Sequence, residues 1–441
     1  MRKIVLLVSM FAIAANMMAA DHVMAATKHA PKQEVSATLN LSLQEAQDYA
    51  VAQNRSLKNA DLAVQKAYAT RWQTIASMLP SVDMSWAYQS MMGYKMNFGG
   101  MPIEMPDNGT FGITASVGIN GQAIVGALLN NTAIEMQKLN LEISEDNLRA
   151  SVKSSYASVL VLEDVVKLLD SSLKNIENLA AMTQRSVEVG AAEQTTADQI
   201  LVRVNTLKNN INANKRSTQL AINALKVLLN VPAETELTLT TQLSDMLSAE
   251  AIVALLGKDF VLENNLSYQT LAKNVELAKK NVHMAGWAYG PTIGVGYQYS
   301  EKDYFGKKEG FNMTPPNALS VQVSMPLWSS GKRAAGVVEK KIALEEARNT
   351  FEETADNLGI QNEQLRYNLQ NAYETYTNEQ ENMGVTQRVF DNTSLKFQQG
   401  VASNLDLVNA SNDLITAQST YVQAVLTLVN AEVELEKFLN L

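Results

Sequence analysis

The chain has 441 residues, 46% hydrophobic and 18% charged, with nine prolines, no cysteine and a formal net charge of −9. Without cysteine there is no disulfide framework, thiolate metal site, cysteine nucleophile or lipidated N-terminal cysteine. Neutralising phosphates needs a local excess of Lys and Arg that no window of this acidic chain offers, so no nucleic-acid partner is expected.

Arg2 and Lys3 precede an apolar run from Ile4 to Ala14, and small residues follow near Ala20 and at Ala25 and Ala26. This is the pattern of an export signal over residues 1–26. The run is too short to cross a bilayer as a helix, which takes about 20 residues. Removing it takes away a net charge of +1 and leaves −10. No later apolar run reaches about 18 residues, so no membrane helix is expected. The histidines His22, His29 and His283 are too few and too scattered for a metal centre or a Ser-His-Asp triad. No catalytic residue, metal or cofactor is therefore assigned.

Pro80, Pro102 and Pro106 form one cluster and Pro291, Pro315, Pro316 and Pro326 another, while residues 107–231 and 327–441 contain none. Two very long helical tracts are thus permitted. Laid on itself with a shift of 211, the chain matches Asn54 and Ser56 to Asn265 and Ser267, and Val64, Ala67 and Pro80 to Val275, Ala278 and Pro291. At a shift of 210, Gly190 matches Gly400, and Leu229 and Asn230 match Leu439 and Asn440. The same order of landmarks implies two copies of one unit, residues 27–230 and 263–441, separated by an insertion of short elements over 231–262.

Each unit carries two segments that alternate with period two, the signature of a strand with unlike faces. In the first unit, strands are expected over about 81–91 and 111–120. Val82, Met84, Trp86 and Tyr88 alternate with polar or small residues, and Ile113 and Val117 do so in the second strand. In the second unit, strands are expected over about 291–300 and 318–327, with Val295, Tyr297 and Tyr299 on one side of the first and Val321 and Val323 on one side of the second. Loops rich in Pro and Gly join each pair as a hairpin. One reading is an ordinary antiparallel sheet with one wet face. The other is a membrane sheet: the lengths approach the roughly 9–11 residues of a tilted membrane strand, and Trp86, Tyr88, Tyr297, Tyr299 and Trp328 suit an interfacial girdle. An open sheet edge in lipid leaves backbone groups unpaired, so several chains would then have to contribute.

Helical hairpins are expected over about 121–230, turning at Gly190, Ala191 and Ala192, and over about 332–440, turning at Gly400 and Val401. An outgoing tract of about 67 residues is roughly 100 Å long. In the second such tract Phe351, Leu358, Leu365 and Ala372 fall on one heptad position, and Ala355, Leu369, Tyr376, Met383, Phe390 and Phe397 on the other, with Asn362, Glu379 and Thr386 as exceptions. That period imposes a left-handed supercoil on neighbours and would also suit a two-chain coiled coil. The remaining surface is rich in Asn, Gln, Ser and Thr, as a face bordering a wide watery interior would be. The expected fold is mainly α with a small β part: a duplicated β-hairpin plus long helical hairpin. As a trimer it would form a 12-stranded β-barrel continued by a 12-helix α-barrel.

Gly400, Asp406, Leu407, Ala410 and Leu414, spaced down one helix face, resemble the helix-turn signature of the TolC-like outer-membrane efflux proteins. Met325, Pro326, Leu327, Trp328, Gly331, Lys332 and Arg333 resemble the strand-to-helix transition of the same family. The first unit carries weaker versions, with no Pro before Gly121 and with Asp198 two positions later than a match to Asp406 requires. The resemblance implies a homotrimeric exit duct in the outer membrane of a Gram-negative bacterium, projecting into the periplasm. It implies a passive conduit for small molecules or proteins, in a tripartite efflux or type I secretion system. The expected partners are outer-membrane lipid, a periplasmic membrane-fusion adaptor and an inner-membrane pump of the RND, ABC or MFS type. The resemblance places the adaptor-facing tip at Gly190, Ala191, Ala192, Gly400, Val401, Ala402 and Ser403. It offers Asp406, Asn409 and Asp198 as candidates for a lumen gate, where three copies of Asp406 would raise one another's pKa. An exported coiled-coil structural protein or a periplasmic adaptor is the alternative.

Overall fold

The computed structural model describes residues 38–190, 192–305 and 315–441; the expected export signal and Ala191 lie outside the described residues. The chain forms two compact units, and residues 62–138 and 270–352, which include the main sheet, form one of them. That sheet has four antiparallel strands in the order β2-β5-β7-β8. They are β2 (Ser81–Gln89), β5 (Asn108–Asn120), β7 (Thr292–Tyr304) and β8 (Asn317–Ser324). Each unit of the repeat supplies one hairpin, and β5 pairs with β7 to join them.

The strands differ from expectation at their ends. β5 begins three residues earlier than expected and β7 continues to Tyr304, because the two pair with each other along their whole length, from Asn108 with Tyr304 to Asn120 with Thr292. β2 stops at Gln89 rather than 91: the Met91 N–H donates instead to the Asp107 carboxylate at 2.9 Å. β8 stops at Ser324, two residues before Pro326, which has no N–H to give a ladder. The first loop is itself structured as a small hairpin of β3 (Lys95–Phe98) and β4 (Met101–Glu104).

Helices leave the sheet under local control. The Asn120 side chain accepts from the Ala123 N–H at 2.8 Å and caps the long helix α3 (Gly121–Glu188). Arg333 stabilises the other transition by donating to the Pro326 carbonyl at 2.6 Å and to the Ser329 hydroxyl at 2.9 Å. Trp287 lies against Gly121 and Gly290, where an added Cβ would sit 2.1 Å and 2.8 Å from its ring. Gly121→Ala therefore forces a methyl into the indole. It is expected to lower stability by about 1–3 kcal/mol, as overpacking does, read as a fall in the thermal midpoint of the purified protein.

The second unit of the fold, described over residues 38–61, 139–190, 192–269 and 353–441, holds most of the core. Helix α1 (Leu43–Gln53) opens with a Ser42–Glu45 capping box and breaks at Asn54 into α2 (Arg55–Ala76). The Asn54 carboxamide oxygen caps α2 through the Ser56 and Leu57 N–H groups, while its Nδ2 donates to the Leu228 carbonyl at 2.9 Å. That carbonyl belongs to the return helix α4 (Gln194–Leu229), whose terminal Asn230, at φ +55°, donates back to the Gln53 carbonyl.

The same clasp recurs at the start of α7 (Leu266–Gly286). Asn265 caps it and donates to the Phe438 carbonyl, and Asn440, again at φ +55°, donates to the Asn264 carbonyl. Asn54 and Asn230, which align with Asn265 and Asn440 at shifts of 211 and 210, are thus the two halves of one hydrogen-bonded lock, present twice.

Between the repeats, residues 231–262 form β6 (Glu236–Leu239) and the short helices α5 (Leu243–Met246) and α6 (Ala249–Leu256). β6 pairs in parallel with β1 (Thr38–Leu41). Arg366, on the second outgoing helix α8 (Lys332–Gln398), holds this insertion by donating to the Leu256 and Lys258 carbonyls. It also donates to Asn362, which explains why that break in the heptad pattern is buried.

Candidate functional site: a two-faced sheet and the hairpin tips

Residues directly opposite one another in an antiparallel pair share a face. The registers of the four strands therefore sort the whole sheet. Val82, Met84, Trp86 and Tyr88 lie opposite Ala115, Ile113, Phe111 and Gly109. Ile113 and Val117 lie opposite Tyr299 and Val295, and Ala115 opposite Tyr297. Val295 and Tyr297 in turn lie opposite Val321 and Leu319, and Ile293 opposite Val323. Val82, Met84, Trp86, Tyr88, Ile113, Val117, Val295, Tyr297, Tyr299, Val321 and Val323 lie with Phe111, Ala115, Ile119, Ile293 and Leu319 on one continuous face.

This face is open to its surroundings: Trp86 is 67% exposed, Val321 67% and Leu319 73%. Its aliphatic rows lie nearest the ends where α3 and α8 begin. Tyr297, Tyr299, Trp86 and Tyr88 follow toward the far end, and Glu301 and Asp303 close the face there. From Ile119 to Phe111 the apolar band runs eight residues along one strand, about 26 Å at roughly 3.3 Å per residue. The opposite face consists mainly of hydroxyl, amide and small residues, such as Ser85, Thr114, Ser116, Gln298 and Gln322, with Asp83, Lys302 and Tyr304 among them.

The two helix hairpins end in glycine for a physical reason. Gly190 has φ +74° and Gly400 φ +73°, with no atom within 4 Å of an added Cβ at either. At the second turn the Gly400 N–H donates to the Phe397 carbonyl at 2.9 Å and the Val401 N–H to the Lys396 carbonyl at 2.9 Å. These two bonds define a Schellman ending, which requires the left-handed residue. Helix α9 (Asn404–Phe438) then starts from a capping box between Ser403 and Asp406. Behind the turns, Ile176, Leu179, Ile200, Leu207, Phe390 and Leu407 bring all four helices of the two hairpins into one core.

At the tips Val401 is 73% exposed, and Gly190, Gly400 and Ser403 are exposed while Ala192 and Ala402 are partly covered. Val189 is 79% exposed and Leu405 67% exposed, both large aliphatic side chains beside a turn. Asp406, Asn409 and Asp198 are all exposed. The Asp406 carboxylate accepts from the Ser403 hydroxyl at 2.7 Å and from the Ser403 N–H at 2.9 Å. These bonds, the hydroxyl first, hold its pKa below the usual carboxylate range. Within one chain the local force on this group is thus opposite in sign to the mutual repulsion expected of a ring. Asp198 accepts from Gln194 at 2.8 Å.

A four-stranded sheet with one apolar and one polar face, carried by two long helical hairpins, defines the protomer fold of the TolC-like outer-membrane channels. The chain belongs to the outer membrane efflux protein family, which it matches over residues 47–231 and 259–441. It is 23% identical over 427 residues to TtgC of Pseudomonas putida, a probable efflux pump outer membrane protein, covering 90% of this chain and 83% of that one. It is 23% identical over 301 residues to the outer membrane efflux protein BepC of Brucella suis, covering 66% of this chain and only 63% of the Brucella protein. Its fold is similar to that of CusC, with a TM-score of 0.75 at 16% identity over 93% of this chain and 95% of that one. The family is one of transport proteins rather than enzymes. Among the described residues no helix is long and apolar enough to cross a membrane.

Proposed function

We propose that three copies of this chain close into an outer-membrane exit duct, a passive conduit from a periplasmic adaptor and inner-membrane pump to the exterior. The observation that carries this is the sorting of the sheet. Val82, Met84, Trp86, Tyr88, Ile113, Val117, Val295, Tyr297, Tyr299, Val321 and Val323 face lipid, and the polar face lines water. Among the described residues, strands β2 and β8 each have one edge without a partner strand, and lipid does not tolerate unpaired backbone groups. Pairing β8 of one copy with β2 of the next removes every edge, and three copies give twelve strands. The helical hairpins of the same three copies continue the tube as twelve columns. An exported coiled coil or an adaptor would leave the apolar sheet face with no partner.

The tips formed by Gly190, Ala191, Ala192, Gly400, Val401, Ala402 and Ser403 meet the adaptor, with Val189 and Leu405 adding apolar contact. Asp406, Asn409 and Asp198 border the opening behind them. The test is Gly400→Trp, which sets a large side chain on the tip where an added Cβ meets nothing. Export in cells is expected to fall to the level of a strain lacking the chain, while the outer-membrane trimer still forms. Export at the normal rate with the trimer present would remove the tip assignment.

A further inference from the structure

The polar face of the sheet holds an unequal distribution of charge. Along all four strands, from Ser81 to Gln89, Asn108 to Asn120, Thr292 to Tyr304 and Ala318 to Ser324, the positions on this face carry one acid and one base. They are Asp83 and Lys302. The rest is hydroxyl, amide, glycine, alanine and one tyrosine. Asp83 accepts from the Ser81 hydroxyl on its own face at 3.4 Å, and the Lys302 ammonium lies 5.5 Å from the centre of the Tyr304 ring, also on that face.

The two charges stand at different heights. Asp83 is level with Thr114 and Gln298, while Lys302 is level with Thr110. Four residues along β7 separate the levels, about 13 Å along the strand at roughly 3.3 Å per residue. Asp83 lies toward the ends where the helices begin and Lys302 toward the far end.

We propose that the barrel lumen is filtered by two rings of opposite sign: three Lys302 groups at the outer mouth favour anions, and three Asp83 groups deeper in oppose them. This rests on the trimeric-barrel reading above. Twelve strands spaced about 4.8 Å and tilted about 40° close at a radius of roughly 12 Å. Each ring therefore reaches the pore axis when the screening length is about 30 Å, near 10 mM salt, and fails to reach it at about 3 Å, near 1 M. Small ions of either sign meet one favourable and one unfavourable ring, and the remaining wall is neutral and hydrogen-bonding. Uncharged and zwitterionic solutes are the class such a passage admits without penalty.

The test is the reversal potential of single trimers in planar bilayers under a KCl gradient. The helical tips are common to all variants, so differences report the barrel. Near 10 mM salt, Lys302→Gln is expected to raise the potassium-to-chloride permeability ratio about threefold, and Asp83→Asn to lower it similarly. Lys302→Arg is expected to leave it unchanged, and all shifts vanish near 1 M. Because the chain has no cysteine, Lys302→Cys gives a single addressable thiol. A cationic methanethiosulfonate reagent added from the outer side is expected to restore the parent value and an anionic one to move it further toward potassium. Channels of normal conductance whose reversal potential ignores Lys302→Gln and both reagents overturn the filter while leaving the duct intact. Absence of any trimer or channel from the unaltered chain overturns the barrel itself.

Discussion

Val321→Arg is expected to abolish the outer-membrane trimer, whereas Gln322→Arg, one residue further along β8, is expected to leave it assembled. Val321 lies opposite Val295 in the second of the five rows of the apolar band counted from the helix-side end, and Gln322 lies opposite Gly294 on the other face. An arginine facing lipid costs about 2–4 kcal/mol at the bilayer midplane and less toward the interfaces, so three copies cost up to roughly 6–12 kcal/mol per trimer. That approaches the whole margin of a typical folded protein, about 5–15 kcal/mol. An arginine on the polar face meets water and loses little. The measurement is the fraction of chain migrating as an unheated trimer from isolated outer membranes. Equal trimer yields for the two variants would mean that the faces are not divided between lipid and water.

The contrast between two neighbouring residues depends on period-two alternation, which is a local property and was legible in the sequence. What alternation could not supply was the pairing of β5 with β7, since those partners lie between 172 (Asn120 to Thr292) and 196 (Asn108 to Tyr304) residues apart. It also ended too soon. Asn108 to Thr110 and Lys302 to Tyr304 are held in strand by each other's backbone groups, not by a change of polarity from residue to residue. Lys302 was invisible as a wall residue for that reason. The glycines of the hairpin turns were legible because a helix end that requires positive φ selects glycine. The asparagine clasps were legible only as repeat landmarks. Their role comes from bonds such as Asn54 to Leu228, which no local rule anticipates. Asp406 drew attention as a possible gate, yet Ser403 with Asp406 three residues later is also a helix-start signal, and the structure uses it as one.

Lys153→Met is expected to produce a large loss of stability in the helical part. Lys153, on α3, donates to Glu432 at 2.8 Å and to Glu436 at 2.7 Å, both on α9. The Lys153 and Glu432 side chains are only 13% and 8% exposed. Burial alone pulls the ammonium pKa down, but attraction to the two carboxylates outweighs it and the net shift is upward. Burial pushes Glu432 up, and Lys153 offsets part of that shift. Removing the lysine leaves a buried carboxylate without its counter-charge, a loss of about 3–5 kcal/mol. Replacing both, as Lys153→Met with Glu432→Gln, is expected to recover most of it, because the buried charge goes with its partner.

The pH dependence separates this account from simple loss of packing. In Lys153→Met the unpaired Glu432 has its folded pKa raised further above its unfolded value. Its contribution is therefore favourable below the unfolded carboxylate pKa and lost as pH rises through the folded one. The deficit in thermal midpoint relative to the parent is expected to be full at neutral pH. It narrows as pH falls toward the unfolded carboxylate value, where the parent also loses its ion pairs. A deficit independent of pH in this range, with no rescue by the double variant, would assign the loss to packing of the lysine stem rather than to the buried charge.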